Sequence, residues 1–168
     1  MTAIDRITRL IGQHAVGVDH IAFAVPNLEA AIAWYVNVLG FTVEEKRETR
    51  GHHTSMLSAV LRAGPLTFVL TQGTTPASQV SEYIAHYGPG VTHVAIEVRN
   101  LLGVADDLRR AGVSFATDII RSPGLLQIFT TRDPQSGLML ELVQRDGGKF
   151  SDESVVQLFR QLEAQGLY

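Results

Sequence analysis

The stretch Val18-Asp-His-Ile-Ala-Phe-Ala-Val-Pro-Asn-Leu28 returns 73 positions later as Val91-Thr-His-Val-Ala-Ile-Glu-Val-Arg-Asn-Leu101. Six of the eleven positions are identical, and two more exchange one apolar residue for another. Each copy is followed by a helix-like run that stops at glycine. Residues 29–39 precede Gly40 and Phe41, and residues 103–111 precede Gly112 and Val113. Glycine just past a helix takes the left-handed turn that ends it. A strand, a helix and a stop recurring together mark an internal duplication.

Working outward, each copy opens a unit read as strand, helix and three further strands. The first unit, residues 16–75, predicts strands over 18–25, 42–49, 54–63 and 66–72. A Gly-Thr-Thr-Pro turn from Gly73 and a short helix over 79–86 lead to the second unit, residues 89–146. Its strands are expected over 91–98, 114–120, 125–131 and 138–144, with the polar turn Asp133-Pro-Gln-Ser-Gly137 before the last. A tail at 151–166 carries Val155, Val156, Leu158, Phe159 and Leu162 as the apolar stripe of a closing helix. The expectation is an α+β fold within a single domain, residues 1–168. Its paired βαβββ modules form one curved, cupped mixed sheet with a C-terminal lid helix.

Side chains alternate along a strand. Ile21, Phe23 and Val25 therefore share one face, large enough to pack under the helix that follows. His20, Ala22 and Ala24 share the other, where two alanines leave room beside the imidazole. In the second copy Val94, Ile96 and Val98 pack beneath a helix, while His93 and Ala95 face away, with Glu97 further along toward a rim or interface. In the last strand Glu141 stands between Leu140 and Leu142, where a carboxylate is costly to bury unless paired or bound to metal. His20, His93 and Glu141 converge if the modules close into one cup. Two neutral imidazoles and a carboxylate on one face form the triad that suits non-haem Fe(II). Val69 stands at the mirror position of Glu141 and cannot ligate, so three protein ligands are expected. His14 and His86 read as surface residues. His52 and His53 are neighbours that point opposite ways, so at most one reaches the site.

Bulk composition bounds the classes. The 168 residues are 45% hydrophobic and 18% charged, with net charge −3 and no cysteine. That supplies a core, removes disulfides and thiolate ligands, and gives no basic surplus for nucleic acid or an anionic membrane. No apolar run nears the ~20 residues of a membrane helix. The N-terminal residues 1–14 read as amphipathic through Ile4, Ile7 and Ile11, without the apolar block of a signal peptide. The expected location is cytoplasmic.

Several segments carry a resemblance. The paired modules and the run Val18 to Phe41 resemble the vicinal oxygen chelate superfamily. More specific are His53-Thr54, Met56-Leu-Ser-Ala-Val-Leu61, Ser78-Gln-Val-Ser-Glu-Tyr-Ile84, Gly90-Val-Thr-His93, Leu125-Leu-Gln-Ile-Phe-Thr130, Glu141-Leu-Val-Gln-Arg145 and the tail with Phe150, Leu158, Phe159, Leu162 and Glu163. These look like the C-terminal, catalytic domain of the 4-hydroxyphenylpyruvate dioxygenase and hydroxymandelate synthase family. The resemblance implies that His20, His93 and Glu141 hold Fe(II). It also implies that Ser58, Thr71, Gln79 and Gln127 face the substrate and that Phe129 and Phe150 sandwich its ring. Thr71 replaces an asparagine and Thr92 a glutamine, so the pocket is altered. The family carries a second, non-catalytic copy of the domain, whose covering role a homodimer would take here.

The activity so implied is an Fe(II)-dependent dioxygenase acting on a 2-oxo acid, an aryl pyruvate, by oxidative decarboxylation and hydroxylation, with a small-molecule substrate and dioxygen as partners. Three rivals stand beside it. An extradiol ring-cleaving dioxygenase of a catechol would use His53 as acid/base. An epimerase of an acyl thioester would need a base near the metal. A drug-binding resistance protein would need no metal triad.

Overall fold

The structure is a computed structural model, which describes residues 11–165. Most of the amphipathic segment at 1–14 and the last position of the expected tail helix lie outside the described residues. The chain runs β1 (Ala15–Ala24), α1 (Leu28–Leu39), β2 (Thr42–Arg50), β3 (Ser55–Ala63), β4 (Leu66–Gly73), α2 (Gln79–Tyr87) and β5 (Gly90–Val98). It continues through α3 (Leu101–Arg110), β6 (Ile120–Ser122), β7 (Leu125–Phe129), β8 (Met139–Arg145) and α4 (Asp152–Gln165). The eight strands form one curled mixed sheet in the order β2-β3-β4-β1-β5-β8-β7-β6. The order is palindromic in the repeat: β1 and β5 pair antiparallel at the centre, and each pairs parallel with the last strand of its own module, β4 or β8.

The repeated strand-to-helix segment explains itself in hydrogen bonds. Asn27 Oδ1 accepts from Ala30 N at 2.9 Å, and its counterpart Asn100 accepts from Gly103 N at 3.3 Å. An asparagine cap satisfies one of the donors a helix start leaves open. Another is satisfied from the last strand of the module. Gln72 Oε1 accepts from Leu28 N at 2.6 Å, and Gln144 Oε1 from Leu101 N at 2.7 Å. α1 then stops at Gly40, whose φ of +75° only glycine adopts without strain.

The large side chains of β1 and β5 go to the convex side, as the alternation predicts. Phe23 and Val25 pack with Leu28, Ile32 and Phe41 under α1, and Ile96 and Val98 with Leu101, Val104 and Leu108 under α3. The concave side keeps the small residues: Ala22, Ala24 and Ala95 are fully buried there. α4 closes that side. Its Phe159 packs on Ala24 and Met56, and its Leu162 on Phe129 and Met139.

One expected element is broken. Residues 114–120 do not form a continuous strand; a single bridge at Phe115 and the short β6 remain. Side chains take over the ladder between them. Thr117 Oγ1 accepts from Phe129 N, and Gln161 of α4 accepts from Asp118 N. Among the described residues no helix is long and apolar enough to cross a membrane.

Candidate metal centre

His20 and His93 come from the two central strands and Glu141 from β8, opposite Ala95 in the parallel register. Nε2 of His20 lies 3.2 Å, and Nε2 of His93 3.5 Å, from Oε2 of Glu141. One ligand atom from each residue lies within 4.8 Å of the other two. A divalent ion about 2.1 Å from each donor, at right or tetrahedral angles, sets ligand atoms ~3.0–3.4 Å apart. The two imidazole–carboxylate distances are close to that spacing, which suits one ion. The donor chemistry fits as well, because Glu141 is 1% exposed and its Oε1 is buried with no hydrogen-bond partner among the described residues. A buried carboxylate oxygen without a donor is costly unless a cation neutralises it.

The electrostatics of the three side chains are coupled. Burial raises the Glu141 carboxyl above its ordinary range. Burial alone would lower His20, but the Glu141 and Asp19 carboxylates outweigh it and lift the imidazole to about 9. Burial, with the charges of His20 and Arg132, holds His93 well below 6.5. Without an ion the site is thus arranged to keep a proton between His20 and Glu141, which a metal must displace.

The triad opens into a cavity of about 780 Å³ along the concave face. Ser58, Thr71, Gln127, Phe129 and Phe150 line it. Phe129 meets the His93 ring edge-on at 5.1 Å, and Phe150 the His20 ring at 5.6 Å. Gln127 is fully buried, and neither atom of its amide has a partner among the described residues. Thr71 turns its hydroxyl to the Phe23 carbonyl at 3.0 Å. Gln79 sits elsewhere: it is not among the lining residues and donates from Nε2 to the carbonyl of Phe159 in α4 at 3.2 Å. His53 is exposed on the β2–β3 turn, where its N–H bonds Glu163, and it does not line the cavity. Val69 does line it, opposite Ala22 as Glu141 is opposite Ala95, so the mirror relation read from the repeat holds in the register.

The family model described as Glyoxalase/Bleomycin resistance protein/Dioxygenase superfamily matches residues 17–142. The chain belongs to this superfamily. A 4-hydroxyphenylpyruvate dioxygenase of Dictyostelium discoideum is 32% identical over 124 residues, 68% of this chain and 33% of that protein. The human mitochondrial methylmalonyl-CoA epimerase is 28% identical over 129 residues, 75% of this chain and 72% of that protein. The chain thus spans about a third of the dioxygenase relative and most of the epimerase. Among solved structures, a mutant 4-hydroxymandelate synthase from Streptomyces coelicolor superposes with TM-score 0.76 at 24% identity, covering 88% of this chain and 53% of that one. A variant of the Streptomyces coelicolor methylmalonyl-CoA epimerase superposes with TM-score 0.67 at 26% identity, covering 79% of this chain and 99% of that one. The relatives of this superfamily member thus include a dioxygenase and an epimerase, enzymes of different chemistries.

Sequence reasoning missed three charged residues of the cavity. Asp19, Arg47 and Arg145 all line it. Arg47 pairs with Glu45 and, at 2.9 Å, with Asp152 at the start of α4. Arg145 pairs with Asp19 and lies over the Phe150 ring, 4.8 Å from its centroid. Arg145 was legible in principle, four residues after Glu141 on the same strand face. Asp19 was not, since alternation sends it to the face opposite His20.

Proposed function

We propose that the protein is a non-haem Fe(II) dioxygenase acting on a 2-oxo acid with an aromatic side chain, by oxidative decarboxylation and hydroxylation. The observation that carries this reading is the ligand count. His20, His93 and Glu141 meet at one point, and the fourth, pseudo-symmetric position is Val69. A two-histidine, one-carboxylate set leaves positions open for a bidentate substrate and dioxygen. Bound there, Fe(II) would supply dioxygen activation and a Lewis-acid hold on the 2-oxo acid.

The chain's own residues supply the rest. Phe129 and Phe150 set apolar walls beside the imidazoles, where an aromatic ring fits. Gln127 brings an unpartnered donor and acceptor to the same space, which suits a phenol or carboxylate. Ser58 and Thr71 add small polar contacts on the facing wall. α4 and the loop from Gly147 to Phe150 exclude water from the triad. The reading extends to a cytoplasmic homodimer; the exposed Trp34 and Val38, one turn apart on α1, support an apolar contact of that kind.

A second reading is favoured by the epimerase relatives, which match this chain over most of their own length. Epimerisation of a 2-substituted acyl thioester needs a base at the metal, and Glu45 on the cavity wall is the carboxylate to consider. The catechol reading is weakened by the position of His53. Oxygen uptake by Fe(II)-loaded protein decides among them. An aryl pyruvate is expected to drive uptake, with carbon dioxide released in equal amount. Uptake with catechols alone, or none with aryl pyruvates or catechols together with exchange of the thioester C2 proton, overturns the dioxygenase reading given first.

A further inference from the structure

His20 and His93 are repeat partners, yet the residues behind them differ. β1 carries a bulge between Val18 and His20, where two steps along β1 match one step from Ile96 to Ala95 on β5. β5 carries the counterpart: Ala22 and Phe23 face His93 and Val91, which leaves Thr92 as the extra residue. A bulge turns two neighbouring side chains toward one side of a sheet. Asp19 therefore reaches the concave face beside His20, as Thr92 sits beside His93.

The two partners are chemically unequal. Asp19 Oδ1 lies 2.8 Å from Nδ1 of His20, and its side chain is only 8% exposed. Arg145 holds the same carboxylate in a two-pronged grip, through Nε to Oδ2 and through Nη2 to Oδ1 at 3.0 Å. Arg145 is itself fixed, donating to the Gly148 carbonyl at 2.9 Å and lying over Phe150. Behind His93, Nδ1 meets the neutral hydroxyl of Thr92, at 3.3 Å.

We propose that Asp19, clamped by Arg145, is the positioning residue of the metal centre. It accepts the Nδ1 proton of His20, so that Nε2 carries the lone pair aimed beside Glu141. A carboxylate behind a ligating imidazole fixes the tautomer and ring orientation and strengthens the donor. His20 is thereby the strongly held ligand and His93 the weakly held one, although the repeat makes them equivalent by position. This inference rests on the metal-site part of the proposed function.

Zinc, which is diamagnetic and needs no substrate, is the probe, titrated calorimetrically into the full chain and its variants. Asp19→Asn keeps the size but presents an amide; Asp19→Thr makes the first module like the second. Both are expected to bind zinc ten- to a hundredfold more weakly than the parent. Arg145→Gln, which frees the carboxylate without removing it, is expected to lose severalfold. In the zinc-loaded parent, nitrogen spectra of labelled histidine should show Nδ1 of His20 protonated and Nε2 metal-bound. Affinity within twofold of the parent in Asp19→Asn, with only its metal-free melting temperature lowered, overturns the proposal and leaves Asp19 a structural residue. If Asp19→Asn does not fold, unchanged affinity in Arg145→Gln overturns it equally. Failure of the metal-site reading looks different: the parent binds no zinc, or His93→Ala retains the parent's affinity.

Discussion

Gln127 is completely buried, yet its amide has neither donor nor acceptor satisfied among the described residues. An orphan buried polar group costs ~1–3 kcal/mol, and replacing it by an apolar group of similar shape recovers that. Gln127→Met is therefore expected to leave the melting temperature unchanged or raised, while the KM for the proposed aromatic 2-oxo acid rises about tenfold, the worth of one ~1.4 kcal/mol contact. A melting temperature that falls while KM stays constant would make Gln127 an ordinary core residue. His20 gives a second expectation at this scale. Its folded pKa of about 9 lies above the ordinary 6.5. A raised pKa stabilises the fold fully below pH 6.5 and loses that contribution as pH climbs through 9. The metal-free protein should melt at progressively lower temperature from pH 6.5 to 9, and bound metal should flatten the profile because it replaces the proton. A flat profile in the metal-free protein counts against the His20–Glu141 contact. The two candidate histidines were readable in the sequence because strand alternation and the 73-residue offset constrain them twice, and Glu141 because a carboxylate between two leucines on a strand is costly to bury unpaired. Asp19 was hidden because a bulge is set by pairing with another strand, which alternation along one strand does not contain.

At the scale of elements, α4 is tied to the β2–β3 turn by one side chain. The Glu163 carboxylate accepts from the N–H groups of His52 at 2.9 Å, His53 at 3.2 Å and Thr54 at 2.9 Å, and from the Thr54 hydroxyl at 2.8 Å. Burial raises this carboxyl, but the four donors together outweigh it and lower the pKa. Gly51 leaves them room: a Cβ there would come within 2.8 Å of both Glu163 Oε2 and Phe159. Glu163→Ala removes four bonds at once at a partly exposed site, where solvent screening discounts each. Amide exchange in α4 is expected to quicken by roughly tenfold, ~1.4 kcal/mol of local opening, with exchange in β1 and β5 unchanged. Uniform quickening through the sheet would mean that α4 is part of the global unfolding unit instead of a lid on it. The apolar stripe made this helix legible. The interruption of the expected strand at 114–120 was not, because the Thr117 side chain takes the Phe129 N–H and the Asp118 N–H turns to Gln161 on α4, pairings that no local pattern names.

For the whole molecule, the sheet order repeats about the β1–β5 pair, so each module offers the other a matching wall. The parallel register places Val69 opposite Ala22 and Glu141 opposite Ala95. One half of the cup thus carries a candidate ligand and the other half its apolar counterpart. Duplication was legible because identity at a fixed offset survives in the strands that pair at the centre. The size of the cavity was not, since it depends on how far the sheet curls. Val69→Glu tests whether the site inherits the symmetry of the fold. A carboxylate there would face, from a half-buried position, the cavity that Glu141 also lines, so the metal-free protein should melt lower through like-charge repulsion and desolvation. With metal present the second carboxylate becomes a fourth ligand, and calorimetry should show affinity at least equal to the parent's. The same change fills a position that the proposed chemistry keeps open, so oxygen uptake should fall to background. Tighter binding with oxygen uptake intact would place the open positions elsewhere than toward Val69. Weaker binding would mean that the two halves do not converge on one ion.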